Sequence, residues 1–130
     1  MKLLIDTHLL LWAYDHPHRL SKPASALLAD LANDLFFSSA SIWEVAIKGA
    51  RKSPSFTLDP RLLRRNLLVN GYLELPITSE HAIATQALPP HHKDPFDRIL
   101  IAQAAAENLT LVTADARIAR YSSKSLRIIG

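Results

Sequence analysis

Asp6, Glu44, Asp97 and Asp115 are the residues of this chain best placed to do chemistry. Asp6 follows the apolar run Lys2-Leu3-Leu4-Ile5, and Asp115 follows Leu109-Thr110-Leu111-Val112-Thr113-Ala114. Both stand just past segments that read as buried strands. Glu44 and Asp97 each fall in the first turn of a segment with helical spacing. In an open α/β sheet, the carboxyl ends of the strands form the ligand crevice. Four acids gathered there repel one another unless something positive holds them. A hard divalent cation, bound through carboxylate oxygens, is the economical partner.

Each acid also has a local explanation. Ser41-Ile42-Trp43-Glu44 matches a capping box, with Ser41 at the N-cap and Glu44 at N3. Asp94-Pro95-Phe96-Asp97 places Asp94 at the N-cap, Pro95 at N1 and Asp97 at N3, where an acid complements the helix dipole. Asp6 could cap a helix opening at Thr7, and Asp115 a helix following it. Independent caps would rarely recur at one end of one sheet, so the set carries the metal reading and no single member does.

The elements that must position these acids alternate along the chain. Leu3-Leu4-Ile5 reads as a parallel strand, and Leu9 to Tyr14 as a short helix stopped near His16-Pro17. Ser21 to Leu31 is helical, with Pro23 tolerated in its first turn. Leu35 to Ser38 is a second strand, and Ser41 to Lys52 a helix ended by Ser53-Pro54-Ser55. A helix opens at Asp59-Pro60 and stops at Asn70-Gly71. Tyr72 to Pro76 is a third strand, whose Glu74 and Pro76 suit a sheet edge. Thr78 to Leu88 is a helix, Asp94-Pro95 opens the next, and Thr110 to Val112 is strand four. A short helix over Ala114–Arg120 and a strand over Ser125–Ile129 finish the chain. This order predicts a three-layer α/β/α fold around a parallel sheet of four to five strands, in a single domain spanning residues 1–130.

Composition narrows the class. The chain has 130 residues and is 48% hydrophobic, which suffices for one real core. Cys is absent, excluding disulfides, a thiol nucleophile and Cys-based zinc sites. No apolar run is long enough to span a bilayer, and Met1 leads straight into a strand pattern without a signal-peptide layout. A cytoplasmic protein is the expectation. Net charge is +3 with His neutral. The basic residues cluster at Lys48, Arg51 and Lys52, at Arg61, Arg64 and Arg65, at Arg117 and Arg120, and at Lys124 and Arg127. Such clusters are ordinary for solvated helix faces, but a basic surface around an acidic pocket also suits a phosphodiester substrate.

Lys48 lies four residues after Glu44, the spacing of a helical ion pair, with a phosphate contact as the alternative. Arg98, next to Asp97, could likewise contact a phosphate. His91 and His92 are adjacent on a loop and lack the spacing of a helical zinc pair, so a structural or solvent-facing role is expected. His8 either touches the pocket or packs within the first helix. Trp12, Trp43, Phe36 and Phe37 read as core or interface residues.

Taken in order, these segments make the chain recognisable. Leu3-Leu4-Ile5-Asp6-Thr7-His8, Ser39-Ala40-Ser41-Ile42-Trp43-Glu44, His92-Lys93-Asp94-Pro95-Phe96-Asp97-Arg98 with Ile101-Ala102-Gln103-Ala104, and Leu111-Val112-Thr113-Ala114-Asp115 carry the resemblance. The sequence resembles the PIN-domain ribonucleases, and within them the VapC-type toxins of toxin–antitoxin pairs, over nearly its whole length. The resemblance implies a metal-dependent endoribonuclease in which Asp6, Glu44, Asp97 and Asp115 bind Mg²⁺ or Mn²⁺. It implies that Thr7 and Thr113 line the pocket, that the chain forms a homodimer, and that an antitoxin protein binds it. Asp94 is assigned to helix capping.

Two other functions compete. A phosphoaspartyl phosphatase would use Asp6 as nucleophile and usually carries a second Asp two positions on, where this chain has His8. A non-catalytic RNA-binding module on the same fold would have to tolerate carboxylates that repel RNA.

Overall fold

The computed structural model describes residues 1–51, 54, 56–123 and 126–129. Lys52, Lys124 and Ser125, named above in basic clusters, a helix end and the last strand, lie outside the described residues, as do Ser53 and Ser55 of the helix stop. The strands are β1 (Lys2–Ile5), β2 (Asp34–Ser38), β3 (Leu73–Leu75), β4 (Thr110–Val112) and β5 (Ile128–Ile129). The helices are α1 (Thr7–Asp15), α2 (Lys22–Ala29), α3 (Ser39–Ala50), α4 (Pro60–Val69), α5 (Ser79–Ala84), α6 (Pro95–Ala106) and α7 (Ala116–Ala119). Short 3₁₀ turns follow α1 and α5 at Pro17–Arg19 and Thr85–Ala87.

All strand pairs are parallel, in the order β3-β2-β1-β4-β5. The expected three-layer α/β/α architecture is thus present, with five strands and with β3 at an edge. The order reverses beside β1, because the chain builds outward through β2 and β3 and then crosses to β4. Ligands of open α/β sheets bind at such a switch point, here the carboxyl ends of β1 and β4. The register Ile5↔Val112 sets Asp6 and Thr113 side by side there.

Alternation along β1 divides the core. Leu3 and Ile5 join Phe37 and Val112 on one face, against Leu9 and Leu10 of α1, Val45 of α3, and Leu63 and Leu67 of α4. Leu4 and Leu111 face the other way, against Leu100, Ile101 and Ala104 of α6 and Ile118 of α7. Strands covered on both faces explain why β1 reads as an unbroken apolar run.

Local signals act mostly where expected. Ser21 caps α2 by accepting from the Ala24 amide, with Pro23 in the first turn. Gly71 takes φ +85° just past α4, a conformation that favours glycine. The helix expected over Thr78–Leu88 is shorter, because its last turn tightens into the 3₁₀ turn at Thr85–Ala87.

One boundary needs correction, and it bears on the site. α3 starts at Ser39, and its cap is Ser38, whose hydroxyl accepts from the Ala40 amide at 3.0 Å. Glu44 is therefore in the second turn of α3, and Ser41 is not its cap. β2 runs to Ser38 and passes directly into the helix, so the first of three closely spaced serines takes the capping role. Ser41 instead shares a hydrogen bond between its Oγ and Thr7 Oγ1 at 2.8 Å.

Candidate active site at the carboxyl edge of the sheet

Asp6 occupies the N-cap position of α1, yet its side chain makes no capping hydrogen bond. Its amide continues the sheet by donating to the Val112 carbonyl at 3.0 Å. Its Oδ2 accepts from Thr113 Oγ1 at 2.9 Å. Thr113 Oγ1 in turn accepts from the Asp115 amide at 3.0 Å. A short hydrogen-bond chain therefore ties the residue after β1 to the residues after β4. Among the described residues Asp6 Oδ1 has no partner, although Asp6 is only 3% exposed.

Glu44 projects from the second turn of α3 and is 1% exposed. Its Oε2 accepts from Lys48 Nζ at 2.5 Å, so the helical ion pair is formed. Its Oε1 is the second buried carboxylate oxygen that lacks a partner among the described residues. Lys48 Nζ also lies over the rings of Phe56 and Phe96, 4.7 Å and 5.8 Å from their centroids.

Asp97 stands in the first turn of α6, which Asp94 caps as expected by accepting from the Phe96 and Asp97 amides at 2.8 Å and 3.2 Å. The buried imidazole of His92 meets Asp97, with Nε2 2.6 Å from Oδ2. His92, Asp94 and Asp97 each bring one ligand-type atom within 4.8 Å of the others. His91 remains outside this group and sets its ring edge-on to Tyr121.

Electrostatics tie three of the acids together. Burial raises the Asp6 carboxyl from its ordinary 3.8 to about 7, and the charges of Asp97 and Glu44 push the same way against the Thr113 hydrogen bond. Burial also raises Asp97, with Asp94 and Glu44 adding to it and the His92 hydrogen bond opposing. Asp115 behaves differently. It caps α7 by accepting from the Arg117 amide at 2.8 Å, and its carboxylate pairs with the Arg117 guanidinium at 2.9 Å. Arg117 holds that carboxyl below its usual range. The local cap reading thus holds for Asp94 and Asp115 and fails for Asp6 and Glu44.

Several smaller expectations resolve here. Thr7 and Thr113 are both buried, and Thr113 bonds directly to Asp6. The Arg98 guanidinium is engaged by the loop before α6: it donates to the carbonyls of Thr85, Leu88, Pro89 and His92 and to Tyr121 Oη. Carbonyls of an irregular loop need such donors. His8 packs edge-on against Phe56 and tilts over Trp12. Trp43 is exposed and meets Phe96 edge-on, whereas Phe37 is core. Among the described residues no helix is long and apolar enough to cross a membrane.

His92, Ser41 and Tyr121 are the contributors that local sequence reasoning passed over. A signal for His92 existed. A His two residues before Asp-Pro, on a chain that reverses into a helix, is carried back over the first turn of that helix.

The donor set suits a hard cation. Two buried carboxylate oxygens without a partner among the described residues, on Asp6 and on Glu44 of α3, and the carboxylate of Asp97 on α6 are all hard oxygen donors, and the charges of Glu44 and Asp97 act on Asp6. Without a cation, Asp6 carries the cost as a raised pKa.

Comparison with known proteins assigns the family. The PIN domain family matches residues 3–124. No curated protein matches the chain in sequence. Among solved structures, the VapBC2 complex of Rickettsia felis bound to a promoter DNA fragment is similar at TM-score 0.68 and 16% identity, covering 98% of this chain and 97% of that one. VapBC-1 of nontypeable Haemophilus influenzae is similar at 0.62 and 20%, covering 98% and 96%. FitAcB of Neisseria gonorrhoeae is similar at 0.64 and 16%, with the same coverage. At these identities the likeness is one of fold, and the family match over most of the chain supplies the assignment: the chain belongs to the PIN domain family.

Proposed function

We propose that this protein is a metal-dependent endoribonuclease of the VapC type, the toxin of a toxin–antitoxin pair, and that Asp6, Glu44, Asp97 and Asp115 form its active site. The observation that carries the reading is the pair of buried oxygens, Asp6 Oδ1 and Glu44 Oε1, that lack a partner among the described residues, with the charges of Asp97 and Glu44 felt at Asp6, in a PIN-family chain. A structural neighbour described as a member of the VapBC family of toxin–antitoxin systems, VapBC-5 of Mycobacterium tuberculosis, supports an antitoxin partner. RNA as substrate and a homodimer follow from the same family reading.

Asp6, Glu44 and Asp97 would hold Mg²⁺ or Mn²⁺, with Asp115 contributing once its carboxylate leaves Arg117. A bound divalent cation acidifies a water for attack on a phosphodiester and offsets the charge that develops on the phosphate. The protein's own part is preorganisation. Thr113 fixes the rotamer of Asp6 through Oδ2, so its other oxygen is kept for the ligand. Lys48 does the same for Glu44 through Oε2. Arg117, exposed beside Asp115, is placed to meet a phosphate oxygen if the carboxylate releases it. The overall positive charge favours a polyanion approaching an acidic pocket. Incubating the purified protein with mixed tRNA, rRNA and mRNA, with Mg²⁺ or Mn²⁺ and then with excess EDTA, tests the reading. Discrete fragments that stop accumulating on chelation support it, and fragments produced equally in EDTA contradict it.

A further inference from the structure

We propose that His92 is a positioning residue for Asp97, held against it by a clasp that Arg98 and Tyr121 build around the preceding loop. The inference rests on the acid-cluster reading above and assigns work to residues outside the four acids.

The contact itself is short and buried. His92 Nε2 lies 2.6 Å from Asp97 Oδ2, with His92 8% exposed and Asp97 9% exposed. That distance is a charge-assisted hydrogen bond. Nε2 is engaged by the carboxylate oxygen, so the imidazole acts on Asp97 itself through that nitrogen. Carboxylates that hold metals are themselves steered by such partners, which set the orientation of the oxygen facing the cation.

The loop before α6 has no sheet or helix to fix it, and Pro89 and Pro90 cannot supply amides to one. Arg98 supplies the fixation. Nη1 donates to the carbonyls of Pro89 and His92 at 3.1 Å each, and Nη2 to those of Thr85 and Leu88 at 2.9 Å and 3.3 Å. Tyr121 closes the clasp from beyond α7. Its Oη accepts from the His92 amide at 3.0 Å and from Arg98 Nη1 at 3.1 Å, and donates to the Pro89 carbonyl at 2.6 Å. The amide and the carbonyl of His92 are thus both held, which fixes the backbone from which its ring reaches Asp97. Asp97 and Arg98 are adjacent on α6, so the helix that carries the acid also carries the side chain that fixes its partner.

The test is Mn²⁺ affinity, read by calorimetry on the full chain, for wild type, His92→Ala, His92→Gln, Tyr121→Phe and Asp6→Asn, with the unfolding midpoint of each in EDTA. His92→Ala should weaken Mn²⁺ binding about 10–100-fold, the range for loss of such a partner. His92→Gln, whose amide N–H replaces Nε2–H, should recover most of it, an outcome a merely structural role does not give. Tyr121→Phe keeps the imidazole, loosens the loop and should weaken binding several-fold; it carries the test if His92→Ala fails to fold. Wild-type affinity in a folded His92→Ala or Tyr121→Phe protein overturns the proposal. Equal loss in His92→Gln and His92→Ala also overturns it, because the imidazole would then be a ligand. If Asp6→Asn also binds Mn²⁺ like wild type, the acid-cluster reading has failed, whereas loss in Asp6→Asn alone refutes only the role of His92.

Discussion

Thr113 Oγ1 donates to Asp6 Oδ2 at 2.9 Å, joining residues 107 positions apart at the switch point of the sheet. The bond is possible because β1 and β4 are neighbours in register, Ile5 beside Val112, so the next residue on each strand meets at the edge. It fixes one oxygen of Asp6 and leaves the other buried and without a partner among the described residues. Thr113→Val is nearly isosteric and removes only the donor. Loss of a hydrogen bond to the ionised form should raise the Asp6 carboxyl above about 7, which a carbon-detected NMR titration of that side chain would read. A downward or absent shift would contradict the assigned role.

The metal-free protein should lose stability as pH rises. The folded carboxyl of Asp6 is raised to about 7 from 3.8, so its contribution is fully present below the unfolded value and is lost between pH 3.8 and about 7. Asp97 is raised too and adds in the same direction. A shift of about three units corresponds to on the order of 4 kcal/mol. Urea unfolding in EDTA should show a clear fall from pH 5 to pH 8 that is flattened in Asp6→Asn. Saturating Mg²⁺ or Mn²⁺ should restore stability at pH 8, because the cation favours the ionised acids.

Arg98→Ala should act on stability and not on RNA affinity through charge. Its guanidinium donates to four carbonyls and a phenol oxygen, so truncation leaves several acceptors short of a partner. A cost on the order of 2–4 kcal/mol is expected. The slope of RNA affinity against salt should stay at the wild-type value, since a residue that touches no phosphate contributes nothing to it. A slope reduced by about one unit would mean that Arg98 does reach the RNA.

The parts of this molecule that local chemistry dictates were legible in the sequence. β1 is apolar from Leu3 to Ile5 because both its faces are covered, and Asp6 stands out against that run. Asp94-Pro95 starts α6 as such a pair should, and Glu74 and Pro76 mark the edge position of β3. Glu44 was placed in the right helix but one turn too early, because Ser38, Ser39 and Ser41 are all competent caps and only the end of β2 selects among them. Arg98 and His92 were harder for one shared reason. Their partners are loop carbonyls and a carboxylate brought together by chain reversal before α6, and no periodicity records such contacts. Asp115 shows the opposite case, a proposed site acid whose plain role as a helix cap is the one formed.

The most direct test of the central claim is RNA cleavage by wild type and Asp6→Asn purified side by side, in Mg²⁺, Mn²⁺ or EDTA. Asp6→Asn removes an ionisable group while relieving its buried charge, so the variant should fold at least as well. The account predicts cleavage by wild type that needs a divalent cation and falls by at least about 100-fold in Asp6→Asn, a loss of roughly 2.7 kcal/mol or more in transition-state stabilisation. Equal cleavage by both proteins in the presence of metal would contradict it.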